Sequence, residues 1–312
     1  MISMGSVTII MPAYNAASTI GQSIASVLAQ TIVTELIIID DKSTDETEKI
    51  ARNQNDNRIV IISGPGLGIS AALNCGFQAA TGEFIARCDA DDLFAKGRIE
   101  WQLAWLKEHD DYVAISAGFQ TITHTDALVA KLACNGVGRN VTSCLLSGEA
   151  VTHFCTWLVR TNAIVGSGGA RTWFKTAEDL DLQFILAQYG EIWHEPIVSY
   201  FYRLHDSSIT HTQNTEIREF YEASAKKFAK QRSQCGTDDL MNGSPPALPD
   251  IPNNNTSSAN QQIISQLVGS AWAHHRSGNK MLGITKIMQA ISLNPLNIFL
   301  WKGLIAIIFK NN

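Results

Sequence analysis

The feature that most constrains the fold is an alternation, through the first 117 residues, between short apolar runs and longer segments of helical periodicity. The apolar runs are rich in β-branched residues and have the length of buried strands. They are Val7–Met11, Leu36–Ile39, Ile59–Ile62, Phe84–Ala86 and Val113–Ile115. The helical segments between them are Ala17–Gln30, Thr44–Asn53, Gly68–Ala80 and Lys96–Glu108. This succession predicts an α/β fold with a Rossmann-like, mainly parallel sheet flanked by helices.

The rest of the chain is less regular. No element can be assigned over 118–175, while helical spacing returns at 176–190 and about 215–232, and 197–210 reads as a strand running into a loop. A segment rich in Pro, Asn, Ser and Gly then predicts a linker. We therefore predict four parts, which are a nucleotide-binding half over about 1–117, an acceptor half over about 118–232 in the same domain, a linker over 233–261 and a helical segment over 262–312.

Composition excludes several classes of protein. The net charge is −5 and no dense cluster of Lys or Arg occurs, which argues against a nucleic-acid partner. The six cysteines include no C-x-x-C pair, so they indicate neither a zinc site nor a disulfide scaffold, and we expect thiols of a reducing compartment. With no signal peptide and no apolar run of membrane-spanning length, we expect a cytoplasmic protein.

Polar residues follow three of the predicted strands directly. They are Pro12 to Asn15, Asp40-Asp41, and Asp89 to Asp92. Ligands of parallel sheets bind at the carboxyl ends of the strands, so we expect these groups to line one crevice. Three carboxylates within four residues repel one another unless a cation lies among them. A divalent ion on a diphosphate explains the cluster, and oxygen ligands suit Mg²⁺ or Mn²⁺; the alternative is that Asp91 or Asp92 caps the next helix.

The stretch "GPGLGIS" at 64–70 looks like a dinucleotide-binding loop without its last glycine. A dinucleotide site requires such a loop after the first strand, whereas this one follows the third. We interpret it as a glycine turn leading into a helix.

In their order along the chain, six motifs resemble glycosyltransferase family 2, the nucleotide-sugar transferases of the GT-A fold, over about residues 6–210. The motifs are "VTIIMPAYNA", "LIIIDDKSTDET", "GLGISAALNCG", "GEFIARCDADD", "TAEDLDLQF" and "YRLHDSSIT". The family usually has Gly at the position of Lys42, a minor departure. Each motif is modest alone, and their succession carries the resemblance.

The resemblance implies a donor site, with Asp41 accepting from uracil N3–H and Asp91 as the metal ligand. Tyr14 suits stacking on a base, with core packing as its alternative. Packing is also the alternative for Ser70 and Asn74. Ser43 with Glu46 fits a capping box for the next helix. The donor-site candidates are Pro12, Tyr14, Asn15, Asp41, Ser70, Asn74, Asp89, Ala90 and Arg203, and the metal candidates are Asp91 and His205.

The acid pair Glu178-Asp179 has two compatible interpretations. Thr176-Ala-Glu-Asp is a helix-start signature, in which Asp179 satisfies a free amide. The resemblance implies instead that Asp179 is the general base, with Asp181 and Glu178 as fallbacks, and a helix N-terminus keeps such a carboxylate ionised. His153 is expected to be a core or rim histidine, and at most an acceptor-side contact.

The function implied is an inverting, metal-dependent transfer from a nucleotide-sugar, with UDP favoured, to an acceptor hydroxyl of a glycan or a lipid-linked glycan. Arg203 and His205 would help Mg²⁺ or Mn²⁺ to stabilise the leaving diphosphate. The alternatives are a nucleotidyltransferase, which should show a basic glycine-rich loop near the N-terminus, and a non-catalytic nucleotide-sugar-binding module, which should lack the base or the metal ligand.

The tail at 262–312 leaves two interpretations open. Its apolar residues at helical spacing predict helices that pack on the main domain. Trp301 and Lys302, next to the apolar run Leu304–Phe309, instead suit a peripheral membrane contact at the inner face of the membrane, where lipid-linked acceptors lie.

Overall fold

The computed structural model describes residues 5–205, 214–249 and 258–310. Within these ranges the strands β1–β10 are Val7–Ala13, Val33–Asp40, Ile59–Ser63, Phe84–Arg87, Leu93–Phe94, Tyr112–Thr123, Leu128–Leu132, Arg139–Asn140, Leu158–Arg160 and Glu191–Leu204. The helices α1–α11 are Ile20–Leu28, Thr47–Arg52, Ile69–Ala79, Arg98–Glu108, Thr142–Leu146, Thr161–Ser167, Glu178–Leu186, Thr215–Cys235, Ala259–Arg276, Lys280–Leu293 and Ile298–Phe309. One turn of 3-10 helix lies at Phe154–Thr156.

The strands form a sheet in the order β3-β2-β1-β4-β9-β6-β10-β5, with β7 paired to β6 and β8 paired to β10. β3, β2, β1 and β4 are parallel, as the alternation of strands and helices predicts. β9 runs antiparallel to β4 and β6, and β5 and β8 run antiparallel to β10. The α/β fold is thus confirmed, with its parallel part confined to the first half of the chain.

Helices cover both faces of the parallel strands, so β1 is buried along its whole length. Ile10 faces one core together with Leu73 and Phe77 of α3. Ile9 and Met11 face the other core, as the two-residue period of a strand requires. This continuous burial explains why β1 reads as an unbroken apolar run rather than an alternating one.

The described chain separates into two compact units. Within the described residues, the first comprises 5–119, 132–202 and 217–249, and the second comprises 120–131, 203–205, 214–216 and 258–310. The first unit therefore holds the parallel strands and α1–α8, and the second holds α9–α11, which pack against one another. No described helix is both long enough and apolar enough to cross a bilayer.

Residues 233–249, predicted to be part of a linker, belong instead to the first compact unit. Asp238 is fully buried and its carboxylate accepts two hydrogen bonds from Arg171, at 2.8 and 2.9 Å. Arg232, near the end of α8, also pairs with Asp238. The composition of this segment, which is rich in turn-forming residues, gives no indication that Asp238 is buried and attaches it to the first unit.

Candidate active site

The carboxyl ends of β1, β2 and β4 lie side by side, because β1 pairs in parallel with both neighbours. The Asp41 amide donates to the Ala13 carbonyl oxygen at 2.8 Å. The Asn15 side-chain oxygen accepts from the Thr44 amide at 2.8 Å, so the ends of β1 and β2 are tied together. Asp89 to Asp92 follow β4 at the same edge of the sheet, as the sequence predicts.

Tyr14 is 64% exposed, which excludes core packing and leaves its ring available for stacking. Two neighbouring candidates differ from the prediction of a donor contact. Pro12 is buried within β1, and Ala90 is buried while its carbonyl accepts from the Ser23 hydroxyl at 2.9 Å. Both residues shape the backbone, because burial leaves their side chains no access to a ligand.

The predicted capping box of Ser43 and Glu46 is wrong. The Ser43 hydroxyl accepts instead from the Asn15 amide at 3.0 Å. Helix α2 begins at Thr47 without a side-chain cap from the residue before it, and Asp45 accepts the Thr47 amide at 3.0 Å. Ser43 therefore helps to tie the ends of β1 and β2.

Asp41 organises the glycine turn. One of its carboxylate oxygens accepts from the Gly66 amide at 2.7 Å, and the other accepts from the Gly68 amide at 3.3 Å. A Cβ on Gly64 would lie 2.5 Å from the Asp41 carboxylate, so this close approach requires glycine. Each oxygen keeps a lone pair for a ligand. The turn leads directly into α3, as expected.

Ser70 and Asn74 serve packing, the alternative left open for them. The Ser70 hydroxyl is buried and donates to the Phe174 carbonyl at 2.8 Å. The Asn74 amide group both donates to and accepts from the Ala170 backbone, at 2.7 and 2.8 Å. These bonds attach the segment around 170–174 to α3. Both side chains are engaged in these contacts, and nucleotide binding by Ser70 and Asn74 stays a prediction.

The acidic cluster contains a cation that belongs to the protein. Arg87, buried at the end of β4, donates to both carboxylate oxygens of Asp89 at 2.6 and 3.1 Å. Its remaining terminal nitrogen donates to Glu178 at 3.1 Å. The buried Cys155 thiol donates to Asp89 at 3.3 Å. Arg87 thus joins the acidic motif after β4 to the acid pair of α7.

Helix capping does not explain the other acids of this cluster. After Asp92 the chain forms β5, and α4 begins only at Arg98 with Gly97 as its N-cap. Asp92 is buried, whereas Asp91 is half-buried. The capping alternative is therefore wrong, and Asp91 stands where a ligand can reach it.

The donor set is consistent with a divalent ion only in part. Asp91 offers the oxygen ligands that Mg²⁺ and Mn²⁺ prefer, while the Asp89 carboxylate is engaged by Arg87. Among the described residues, no three His, Cys, Asp or Glu side chains come together as a metal site. A divalent ion at this edge would therefore take only a minority of its ligands from the described side chains.

Three acids at the start of α7 have different environments. The Glu178 side chain is 7% exposed and bound to Arg87, and the Asp181 side chain is 1% exposed and paired with Arg171 at 2.5 Å. The Asp179 side chain is 20% exposed. Asp179 is the most exposed of the three, whereas Glu178 and Asp181, the two fallback bases, are held in buried ion pairs.

The helix-start interpretation of this motif is only partly correct. Helix α7 does begin here, at Glu178. Its N-cap is Ala177 rather than Thr176, and no side chain caps the first turn. Ala177 has a φ of 58°, an uncommon conformation for a residue with a Cβ. This turn immediately precedes Glu178, whose side chain is buried.

Burial raises the pKa of Glu178 to about 7. The neighbouring Arg87 charge opposes this shift, and the neighbouring Asp179 charge adds to it. Glu178 therefore exchanges its proton near neutral pH, immediately beside the candidate base.

His153 lies closer to this acid pair than the sequence indicates. Its Nδ1 is 3.7 Å from an Asp179 carboxylate oxygen and makes no hydrogen bond with any described residue. Its ring packs between Phe119 and Tyr202, with centroid distances of 5.6 and 5.2 Å. His153 is thus a rim histidine, as expected, whose position beside Asp179 suits an acceptor-side contact.

Arg203 and His205 belong to the second compact unit. Arg203 is buried, and its Nη1 donates to Asp126 at 2.5 Å and to the Thr123 and His124 carbonyls at 3.4 Å. Phosphate binding by Arg203 stays a prediction, and in this structure its guanidinium contacts the segment 123–126. His205 follows β10 and is half-buried, and the rest of its motif, 206–210, lies outside the described residues.

Sequence reasoning missed Arg87, the central residue of the cluster. The available signal was its position in "RCDAD", two residues before Asp89 at the end of a strand. Residues two apart on a strand share a face, so a guanidinium there can reach the first acid. Its contact with Glu178 spans 91 positions in the chain and has no local signal.

Comparison with known proteins gives a consistent result. Residues 8–164 match the family model described as glycosyl transferase family 2. An uncharacterised glycosyltransferase of Rickettsia typhi is 29% identical over 230 residues, which cover 72% of each chain. The Escherichia coli protein WfgD, named as a UDP-Glc:alpha-D-GlcNAc-diphosphoundecaprenol beta-1,3-glucosyltransferase, is 35% identical over 127 residues, covering 40% of this chain and 49% of WfgD.

Among solved structures, residues 1–349 of Staphylococcus aureus TarS in complex with UDP-GlcNAc share the fold. The TM-score is 0.61 at 15% identity, with coverage of 92% of this chain and 81% of the TarS chain. The same TarS segment with UDP gives a TM-score of 0.56 at 16% identity, with coverage of 97% of this chain and 88% of the other.

Proposed function

This chain belongs to glycosyl transferase family 2 and is a glycosyltransferase of glycan synthesis, and from that premise we propose that it inverts the anomeric centre of a UDP-sugar. The observation that carries the proposal is that the three acids at the start of α7 differ in exposure and in their partners. Glu178 and Asp181 are held in buried ion pairs, while Asp179 is partly exposed beside the strand-end cluster. One partly exposed base next to a donor site is what single-displacement transfer requires.

The donor half of the proposal rests on the edge formed by β1, β2 and β4. Tyr14 offers its exposed ring to a base, and Asp41 keeps lone pairs that can accept from uracil N3–H. Uracil is further supported by the UDP complexes of TarS and by the UDP-Glc named as the donor of WfgD. Asn15 orders this edge through Ser43 and Thr44.

In the transfer step, Asp179 removes the proton of the acceptor hydroxyl, whose oxygen attacks the anomeric carbon opposite the leaving diphosphate. The proton passes to the Asp179 carboxylate, and the bond to the diphosphate breaks as the new glycosidic bond forms. Arg87 holds Asp89 and Glu178 in place, which keeps their negative charges compensated next to the reacting groups.

We further propose that Asp91 is the protein's ligand for Mn²⁺ or Mg²⁺ on the donor diphosphate. When bound, such an ion stabilises negative charge on the leaving group. The second metal candidate, His205, stays a prediction, because it belongs to the other compact unit. The small number of carboxylates available at this edge implies that the ion arrives with the nucleotide.

The acceptor is proposed to be a glycan or a lipid-linked glycan. The name of WfgD gives a diphosphoundecaprenol glycan as its acceptor, which is a lipid-linked sugar. Here the partly exposed Asp179 and the adjacent His153 are the groups that an incoming hydroxyl would meet. A lipid-linked acceptor would bring the enzyme to a membrane surface.

Titration calorimetry with UDP tests the donor and metal proposals. We expect the wild-type chain to bind UDP more tightly with Mn²⁺ than without it. Asp91→Ala should lose this difference and lower turnover of UDP-sugars on the order of 100-fold, with the fold intact by circular dichroism. The matched control is Asp110→Ala, which removes a carboxylate whose side chain is largely exposed. Equal Mn²⁺ dependence and turnover in Asp91→Ala would exclude the metal role.

A further inference from the structure

Helix α11 is apolar around its whole circumference. Its sequence is IFLWKGLIAIIF, and Lys302 is its single charged residue. A helix of this kind is normally enclosed by protein or lipid. Here α11 packs through only one side, against α10. Gly303 of α11 lies beside Ile287, to which a Cβ added at 303 would be 3.4 Å away, and Gly283 of α10 lies beside Ile307, to which an added Cβ would be 3.6 Å away. Leu300 and Ile307 are the buried residues of this side.

The opposite side of α11 exposes large apolar groups to solvent. At 100° per residue, Ile298, Ile305 and Phe309 fall on one line, directly away from Ile307. Phe299 is 80% exposed and Phe309 is 78% exposed. We call this set the α11 apolar face, and it consists of Ile298, Phe299, Trp301, Ile305, Ile308 and Phe309. A contiguous patch of this composition is typical of an interaction site.

Charge indicates the kind of partner. Residues 258–312 contain five Lys and Arg residues and no Asp or Glu, although the remaining chain carries 19 basic and 29 acidic residues. The basic residues of the segment are Arg276, Lys280, Lys286, Lys302 and Lys310. An exclusively basic segment in a protein of net charge −5 favours an anionic partner and opposes pairing with a second copy of itself.

The basic groups and the apolar face coincide at one end of the helices. Because Gly283 lies beside Ile307 and Ile287 beside Gly303, α10 and α11 run antiparallel. The start of α10 therefore lies next to the end of α11, which brings Lys280 and Lys310 together with Phe309. On α11 itself, the Lys302 ammonium lies 5.7 Å from the centre of the Phe299 ring.

Trp301 adds a group suited to a membrane interface. Its indole nitrogen donates to the Pro295 carbonyl at 2.9 Å, which satisfies its polar atom and leaves the ring partly exposed. Aromatic rings of this kind favour the boundary between lipid headgroups and acyl chains. We propose that the α11 apolar face docks in the plane of an anionic lipid bilayer, with Lys302 and Lys310 at the level of the headgroups.

The test is flotation of the full chain with vesicles of phosphatidylglycerol and phosphatidylcholine, compared with vesicles of phosphatidylcholine alone. We expect binding to the anionic vesicles, weakened by added salt because screening reduces the attraction. Phe299→Ser with Phe309→Ser should lower the partition coefficient at least about tenfold. Val137→Ser is the matched control, because Val137 is an equally exposed apolar residue of the other unit and is 80% exposed.

Analytical ultracentrifugation of the same proteins separates docking from self-association. Monomeric wild-type protein that floats only with anionic vesicles supports the proposal. No flotation, equal flotation of the double variant, or an oligomer that the double variant abolishes would overturn it. Flotation involves no turnover, and both phenylalanines lie outside the proposed active site, so a failure here is distinguishable from a failure of the proposed function.

Discussion

At the scale of single residues, the surroundings of each carboxylate decide its chemistry more than its place in a motif. Glu178 and Asp179 are adjacent in sequence, but one points inward to Arg87 and the other reaches the surface. Asp181, one turn closer to the helix centre, is enclosed by Arg171 and Arg232. The motif "TAEDLD" therefore contains one candidate base and two structural acids.

Glu178 should make stability depend on pH. Its pKa is about 7 in the folded chain, above its ordinary value of 4.5, so the folded state holds the proton more tightly than the unfolded state. The contribution of this proton to the free energy of unfolding is fully present below pH 4.5. It is lost as pH rises through 7, at up to about 1.4 kcal/mol per pH unit.

Glu178→Gln removes this titration. Chemical denaturation at pH 5 and pH 8 should therefore show a smaller decrease in unfolding free energy for Glu178→Gln than for the wild type. Glu108→Gln, at the end of α4, is the control for an exposed acid. An identical decrease in the wild type and Glu178→Gln would show that Glu178 does not titrate in this range.

His153 is expected to position the acceptor or the Asp179 carboxylate. The substitution His153→Phe keeps a ring between Phe119 and Tyr202 and removes the nitrogen 3.7 Å from Asp179. We expect kcat/KM for the acceptor to fall on the order of 10-fold, because one oriented polar contact is lost. The Kd for UDP should remain unchanged, which separates this role from general destabilisation. Unchanged acceptor kinetics would contradict it.

At the scale of elements, α8 and the chain after it depend on one buried ion cluster. Asp238 is fully buried between Arg171 and Arg232, while its neighbour Asp239 is partly exposed and pairs with Lys227 at 2.7 Å. Asp238→Ala should cost about 3–5 kcal/mol, because two guanidinium groups lose a buried partner. Asp239→Ala should cost about 1 kcal/mol or less.

Urea denaturation of both variants measures this contrast between adjacent residues. Equal destabilisation of Asp238→Ala and Asp239→Ala would mean that the cluster does not anchor the segment.

Asp238 and Asp239 also show why composition was misleading for the predicted linker. A segment rich in Gly, Pro and Asn is ordinarily a free connection, and one buried aspartate is enough to attach it.

Elements with long periodic patterns were predictable, and short ones were not. Strands β1, β2 and β4 bury nearly continuous apolar runs, and helices α1, α3 and α4 each bury an apolar face, which leaves a clear pattern in the sequence. β5, β8 and β9 are only two or three residues long. Pairing with distant strands holds them in place, so residues 118–175 carry little local signal.

At the scale of the whole molecule, strand order brings together what the sequence separates. The grouping of the ends of β1, β2 and β4 was predictable, because a parallel sheet places those ends at one edge. Its internal cation was not, since Arg87 meets Glu178 only through the packing of α7 against the sheet. The sequence predicts a divalent ion among these acids, which stays a prediction, and the structure shows that Arg87 pairs with two of them.

The most direct test of the proposed function is the turnover of a UDP-sugar by Asp179→Asn, measured together with donor affinity. Hydrolysis assays on a set of UDP-sugars first identify the donor, and Asp110→Asn is the control. We predict that donor affinity stays within about threefold of the wild type while turnover falls at least about 100-fold, because the amide cannot accept the proton. Turnover by Asp179→Asn at the wild-type rate would contradict the assignment of the base and, with it, the proposed mechanism.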